Sequence, residues 1–161
     1  VSAKKARENR NAEFERTNRY VHKWFKVPTI SGSRLGINGT LNFSPRKGRF
    51  SVVIFLASWS EPSQQMMKEL THIEKKFSQL DTDFLYVFAH DTRDDAEGFL
   101  KHFGLSSGML ANDKVLEVFK VQHLPTIYIG DRAGWMSQSY INATTKDISN
   151  LRSYLTLQTS L

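Results

Sequence analysis

The sequence predicts an α/β fold: a central mixed β-sheet flanked by helices on both faces, entered through an N-terminal β-hairpin and preceded by a helical arm. Three observations predict it. Phe50–Ala57 and Phe84–Ala89 are unbroken β-branched and aromatic runs, the pattern of strands buried on both faces. Between them, Met66, Leu70, Ile73 and Phe77 recur at helical spacing and form one apolar helix face. Downstream, Thr126–Ile129 and Trp135–Ile141 flank the turn-forming stretch Gly130–Gly134, and a capped amphipathic helix follows.

The elements follow in chain order. Residues 3–25 read as a helix rich in Ala, Lys, Arg and Glu, with apolar residues only toward its end at Phe14, Tyr20, Val21, Trp24 and Phe25. Pro28 and a turn at Ser31–Ser33 end this arm, so residues 1–26 are set apart from a domain spanning 27–161. Leu35–Ile37 and Leu41–Phe43, separated by Asn38-Gly39, predict a tight hairpin. Ser44–Gly48 is a polar, basic loop before the first buried strand. The helix after that strand is expected from Pro62 to Leu80. A further helix spans Asp91 to Phe103, with Thr92 as N-cap and Gly104 as terminator. Asn112–Phe119 is a shorter helical segment. In the last helix, Thr144 or Thr145 is the cap, and Ile148, Leu151 and Leu155 share a face.

Composition narrows the function classes. The chain has 161 residues, enough for one domain with a real core plus an arm, and 40% are hydrophobic. No apolar run approaches the roughly 20 residues that cross a bilayer. No signal-peptide pattern is present and the chain starts at Val1, so a processed or truncated form is expected. Eight Lys and Arg stand against three Glu in residues 1–26, so most of the net charge of +6 sits in the arm. That argues against nucleic acid as a partner, since no aromatic-lined basic groove or recognition motif accompanies the charge. A solvated charged helix is the plain expectation for the arm, with anionic lipid or an acidic partner as the alternative. The absence of cysteine excludes disulfides and thiolate metal sites, and neither a metal nor a cofactor is expected.

The stretch that carries chemistry is Ala57-Ser58-Trp59-Ser60-Glu61-Pro62-Ser63, between a buried strand and a helix. With cysteine in place of Ser60 and Ser63 it would read A-S-W-C-E-P-C. A thiol at position 60, just before a helix N-terminus, would be stabilised as the thiolate, which is the nucleophile of thiol–disulfide exchange. A second thiol three residues on, on the first helical turn, would resolve the mixed disulfide. Pro62 shapes the helix start between them. Serine does neither job, because its hydroxyl is too weak an acid and needs an adjacent base to attack anything. Of His22, His72, His90, His102 and His123, none stands in a recognisable triad spacing; His123 is the one such a fold would bring nearest the loop. His90-Asp91 alone does not make a metal site.

These residues, together with Val121-Gln122-His123-Leu124-Pro125-Thr126, give the chain a resemblance to the thioredoxin superfamily, in particular its TlpA/ResA-like members. The resemblance covers about residues 27–158. Val27-Pro28 and the expected hairpin resemble the extra N-terminal hairpin of such proteins, Val52–Trp59 their central strand, and Leu124-Pro125-Thr126 their cis-proline loop. What the resemblance implies is a thioredoxin-like fold and thiol–disulfide oxidoreductase chemistry on a protein thiol or disulfide. It also implies a periplasmic or membrane-anchored location facing the cell envelope, and roles such as cytochrome c maturation. Ser60 and Ser63 would then occupy the catalytic cysteine positions. Trp59, Glu61, Pro62, Leu124 and Pro125 would form the partner-binding surface, with Pro125 cis and the neighbouring backbone open to an extended segment.

Two further positions depart from the resemblance. Where such proteins carry a polar or acidic residue six positions before the first cysteine, this chain has Ile54. Where ResA-like members carry an acid three positions after the second, it has Met66. Two origins for the serines remain open: substitutions introduced into a dithiol oxidoreductase, or a natural redox-silent binding or adaptor module. Either way the chain as written is expected to be inactive in exchange.

Overall fold

The computed structural model describes residues 25–160, so the expected arm lies outside the described residues apart from Phe25 and Lys26. The chain forms β1 (Ile30–Arg34), β2 (Thr40–Phe43), β3 (Phe50–Leu56), α1 (Glu61–Gln65), α2 (Met67–Phe77), β4 (Thr82–Phe88), α3 (Arg93–Phe103), β5 (Gly108–Leu110), α4 (Asp113–Val118), β6 (Thr126–Gly130), β7 (Met136–Tyr140) and α5 (Thr145–Thr159). The seven strands make one sheet in the order β2-β1-β5-β4-β3-β6-β7. Strands β3, β4 and β5 run parallel, and the other pairings are antiparallel.

Alternation along the central strands sends side chains to two apolar layers. Val52, Ile54 and Leu56 of β3 and Tyr86 and Phe88 of β4 face one layer, which α2, α3 and α5 cover. Val53, Phe55, Leu85 and Val87 face the other, closed by Val27 and Ile30 of the entering chain and by Val115 and Phe119 around α4. Full burial explains why β3 and β4 read as unbroken apolar runs. Capping residues stop the helices where the sequence indicates. Thr92 accepts from the Asp95 N–H, Gly104 closes α3 in the left-handed region, and Thr144 with Asp147 forms a capping box on α5.

Three expectations are corrected, and one strand goes unforeseen. The first hairpin strand is Ile30–Arg34 rather than Leu35–Ile37, and the connection runs through Gly36 and Gly39, both at positive φ. Gly32 reads as a turn residue but sits mid-strand, because a Cβ there would come within 2.7 Å of the Leu110 carbonyl and 2.9 Å of Met109 Sδ. The three-residue strand β5 is too short to announce itself in the sequence. Finally, the helix expected over Pro62–Leu80 breaks at Met66 and ends at Phe77. Met66 caps the C-terminus of α1 in a right-handed helical conformation and is itself buried, as is Met67, the first residue of α2.

Candidate functional site

The C-terminal end of β3, the β4–α3 corner and the start of β6 meet at one edge of the sheet. Ser60 leaves the strand in an extended conformation and caps α1, its Oγ accepting the Ser63 N–H at 3.3 Å. Serine is among the best residues for that position, since it satisfies an otherwise orphaned helix N–H. Ser63 lies one turn on, fully buried, and its Oγ accepts the Ala57 N–H at 3.3 Å. Both hydroxyls are therefore part of the scaffold of the loop.

The loop is tied to its surroundings by hydrogen bonds that the sequence does not announce, through Asp91, Gln64 and Trp59. Asp91 Oδ2 accepts the Ser58 N–H at 2.7 Å and Oδ1 accepts the Ser58 hydroxyl at 2.8 Å. Gln64 Nε2 donates to the Ser58 carbonyl at 2.7 Å. The Trp59 indole N–H donates to the His90 carbonyl at 2.9 Å. His90 adopts φ +52°, a left-handed conformation that is uncommon for a residue with a side chain. A signal existed in the sequence: an Asp directly before a helix cap, at the end of the strand beside β3.

The Leu124–Pro125 peptide bond is cis, as the resemblance implies. The Pro125 carbonyl is not open to a partner, because it accepts the Ala143 N–H at 2.8 Å. Thr126 Oγ1 donates to the His123 carbonyl at 2.6 Å, fixing the turn ahead of β6.

A cleft of about 270 Å³ lies between the two loops. Trp59, Ser60 and Leu124 line it, with His90 and His123. Glu61 and Pro62 are exposed beside it, whereas Ser63 and Pro125 are buried behind it. Trp59 is 62% exposed and also walls a second cleft of about 520 Å³, bounded by Ser58, Gln64, Asp95, Gly98, Phe99, His102 and Phe103. Ile54 and Met66 lie in the apolar layer beneath the site.

This architecture defines a thioredoxin-like α/β protein. A Chlorobium tepidum protein assigned as thiol:disulfide interchange protein DsbE superimposes with a TM-score of 0.74 at 19% identity, over 86% of this chain and 98% of the other. A secreted thiol-disulfide isomerase from Corynebacterium glutamicum gives 0.67 at 19%, over 80% and 84%. An exposed lipoprotein thioredoxin from Streptococcus pneumoniae strain TIGR4 gives 0.63 at 21%, over 80% and 98%. In sequence, the chain is 24% identical over 106 residues to the thiol-disulfide oxidoreductase ResA of Geobacillus kaustophilus strain HTA426. That match covers 65% of this chain but only 61% of ResA's length. No family model matches. By sequence and structural neighbours together the chain is ResA/DsbE-like, with no cysteine anywhere in its sequence to carry the exchange.

Proposed function

We propose that this chain is a thioredoxin-like thiol–disulfide exchange protein of the TlpA/ResA type, silent as written because Ser60 and Ser63 occupy the two sulfur positions. The observation that carries the reading is the pair itself. Ser60 lines the cleft together with Leu124, which precedes the cis Pro125, and Ser63 is fully buried one helical turn on. With sulfur at both positions, the thiolate at 60 attacks one sulfur of a partner disulfide. That S–S bond breaks, a mixed disulfide forms, and the partner's other sulfur leaves and takes up a proton. The thiol at 63 then loses its proton and attacks the sulfur at 60. The partner departs as a dithiol and this chain is left with the disulfide, two electrons having passed to the partner. Trp59, Glu61, Pro62 and Leu124 would form the surface that receives the partner, with the buried cis Pro125 setting the position of Leu124 behind it.

Ser60→Cys combined with Ser63→Cys tests this directly. The expected result is reduction of a model protein disulfide with dithiothreitol as the electron source, at a rate well above dithiothreitol alone. A well-folded double variant with no such activity would overturn the reading. It would favour the second one, a redox-silent binding module, for which the apolar Ile54 and Met66 already argue: a site without sulfur has no use for proton-handling neighbours.

The same reading extends to location and partners. Protein thiols or disulfides are the partners, at the periplasmic or outer side of a membrane; on the alternative reading of the arm, the basic residues at 1–26 would hold the domain near anionic lipid. Deleting residues 1–26 should abolish binding to vesicles containing phosphatidylglycerol at low salt; equal binding without them would remove the tether from the account.

A further inference from the structure

We propose that Asp91 is the positioning residue of this site. By holding Ser58 it keeps Trp59 upright as the wall between the two clefts, and so determines how protein partners dock. The proposal rests on the exchange reading for its docking consequence, although the latch itself does not depend on sulfur.

Ser58 has all three of its polar groups engaged. Its N–H and hydroxyl both go to the Asp91 carboxylate, and its carbonyl accepts from Gln64. Hydrogen bonds to an ionised carboxylate are about twice as strong as neutral ones, and a two-point grip also fixes orientation. Asp91 is itself pinned, since Oδ1 also accepts the Thr92 N–H at 3.0 Å at the cap of α3. Trp59 comes next in the chain and is held by a different kind of bond, from its indole N–H to the His90 carbonyl. The left-handed turn at His90 presents that carbonyl, and Asp91 follows directly. One corner thus grips two successive residues of the loop.

The consequence lies in the exposed ring. Trp59 is the large aromatic standing out beside Ser60, and its polar atom is already satisfied, so its ring is presented to solvent in a fixed pose. Aromatic anchors of this kind dominate docking when they are pre-organised. Release of Ser58 would let the loop rotate, and the clefts on the two sides of Trp59 would no longer be separate.

The experiment compares Asp91→Ala, Asp91→Asn and Ser58→Ala. In the chain as it stands, hydrogen exchange of the Trp59 indole N–H is followed by NMR, with Trp135 as internal control. Asp91→Ala should speed exchange at Trp59 by about tenfold, Ser58→Ala by less in the same direction, and Asp91→Asn, which keeps one acceptor oxygen and no charge, should restore part of the protection. In the Ser60→Cys, Ser63→Cys background with dithiothreitol, Asp91→Ala should raise KM for insulin by about tenfold with kcat within about twofold. Its rate on a small aromatic disulfide, which does not span the wall, should stay nearly unchanged. Unaltered indole exchange in Asp91→Ala would overturn the latch. Equal loss on insulin and the small disulfide would overturn its docking role. Should the double variant lack exchange activity altogether, the proposed function fails while the indole measurement still decides the latch.

Discussion

A hydroxyl at position 60 is a weak nucleophile and a good helix cap, and the fold uses it as the second. Replacing Ser60 by Ala removes the acceptor for the Ser63 N–H and should lower unfolding stability by about 1 kcal/mol, read by urea denaturation. A variant as stable as the parent would mean that water or a neighbour satisfies that N–H equally well. Single residues also show where the sequence was silent. Tyr86 is wholly buried, and burial pushes its hydroxyl well above the usual tyrosine value, with the Glu74 carboxylate pushing the same way. Neither Tyr86 Oη nor Glu74 Oε2 reaches a hydrogen-bond partner of good geometry. Nothing in the pattern around Glu74 marks it as a buried acid, since it falls between exposed lysines and an apolar helix face. The role of Asp91 is harder to read than its place: the pair His90-Asp91 suggests metal ligation without making a site, while the carboxylate bonds Ser58, thirty-three positions away in sequence.

Elements were legible in proportion to how strongly local physics marks them. β3 and β4 could be read because burial on both faces demands an unbroken apolar run. α3 and α5 could be read because their caps are written into the chain as Thr92, Gly104, Thr144 and Asp147. β1 was misplaced because Gly32 looks like a turn former, and only the approach of a neighbouring strand reveals why a side chain is excluded there. Gly32→Ala should therefore destabilise the fold by about 1–3 kcal/mol through overpacking against the Leu110 backbone. Retention of the parent midpoint in guanidinium would show that β1 and β5 have room to separate. The break at Met66 is hidden because the apolar spacing continues through it, from Met66 to Leu70, Ile73 and Phe77. Ser60, Trp59 and Leu124 converge on one cleft, although the motifs that contain them are some sixty residues apart.

At the scale of the molecule, the sheet has two working ends. The loops at the C-terminal ends of β3 and β4 carry the candidate site, and β3, seven residues long, sets it about 20 Å from the opposite end. That opposite end is braced by charge. Arg46 and Arg49, on the loop entering β3, both hydrogen-bond Asp83 at the start of β4. Partial burial pushes the Asp83 carboxyl up, but the hydrogen bonds and charges of the two arginines outweigh it and hold it below the usual carboxylate range. A carboxyl depressed in the folded state contributes stability at neutral pH and loses it as pH falls from about 3.8 through the folded value. Asp83→Asn should accordingly lower the melting temperature at neutral pH and flatten its acid limb, with parent and variant converging at low pH. Added salt should weaken the part of the difference that comes from the exposed Arg46 more than the part from the mostly covered Arg49. An acid limb of unchanged steepness in the variant would assign acid sensitivity to other carboxylates.

The unequal depth of the two serines carries a last consequence. Ser60 retains 7% of its surface in contact with solvent and Ser63 none. Anything arriving from outside meets position 60 first. A chain given sulfur only there, by Ser60→Cys alone, would join covalently to a partner's disulfide and have no neighbour able to expel it. The sealed hydroxyl at 63 would make such a chain a snare, holding its natural client long enough to be identified by mass.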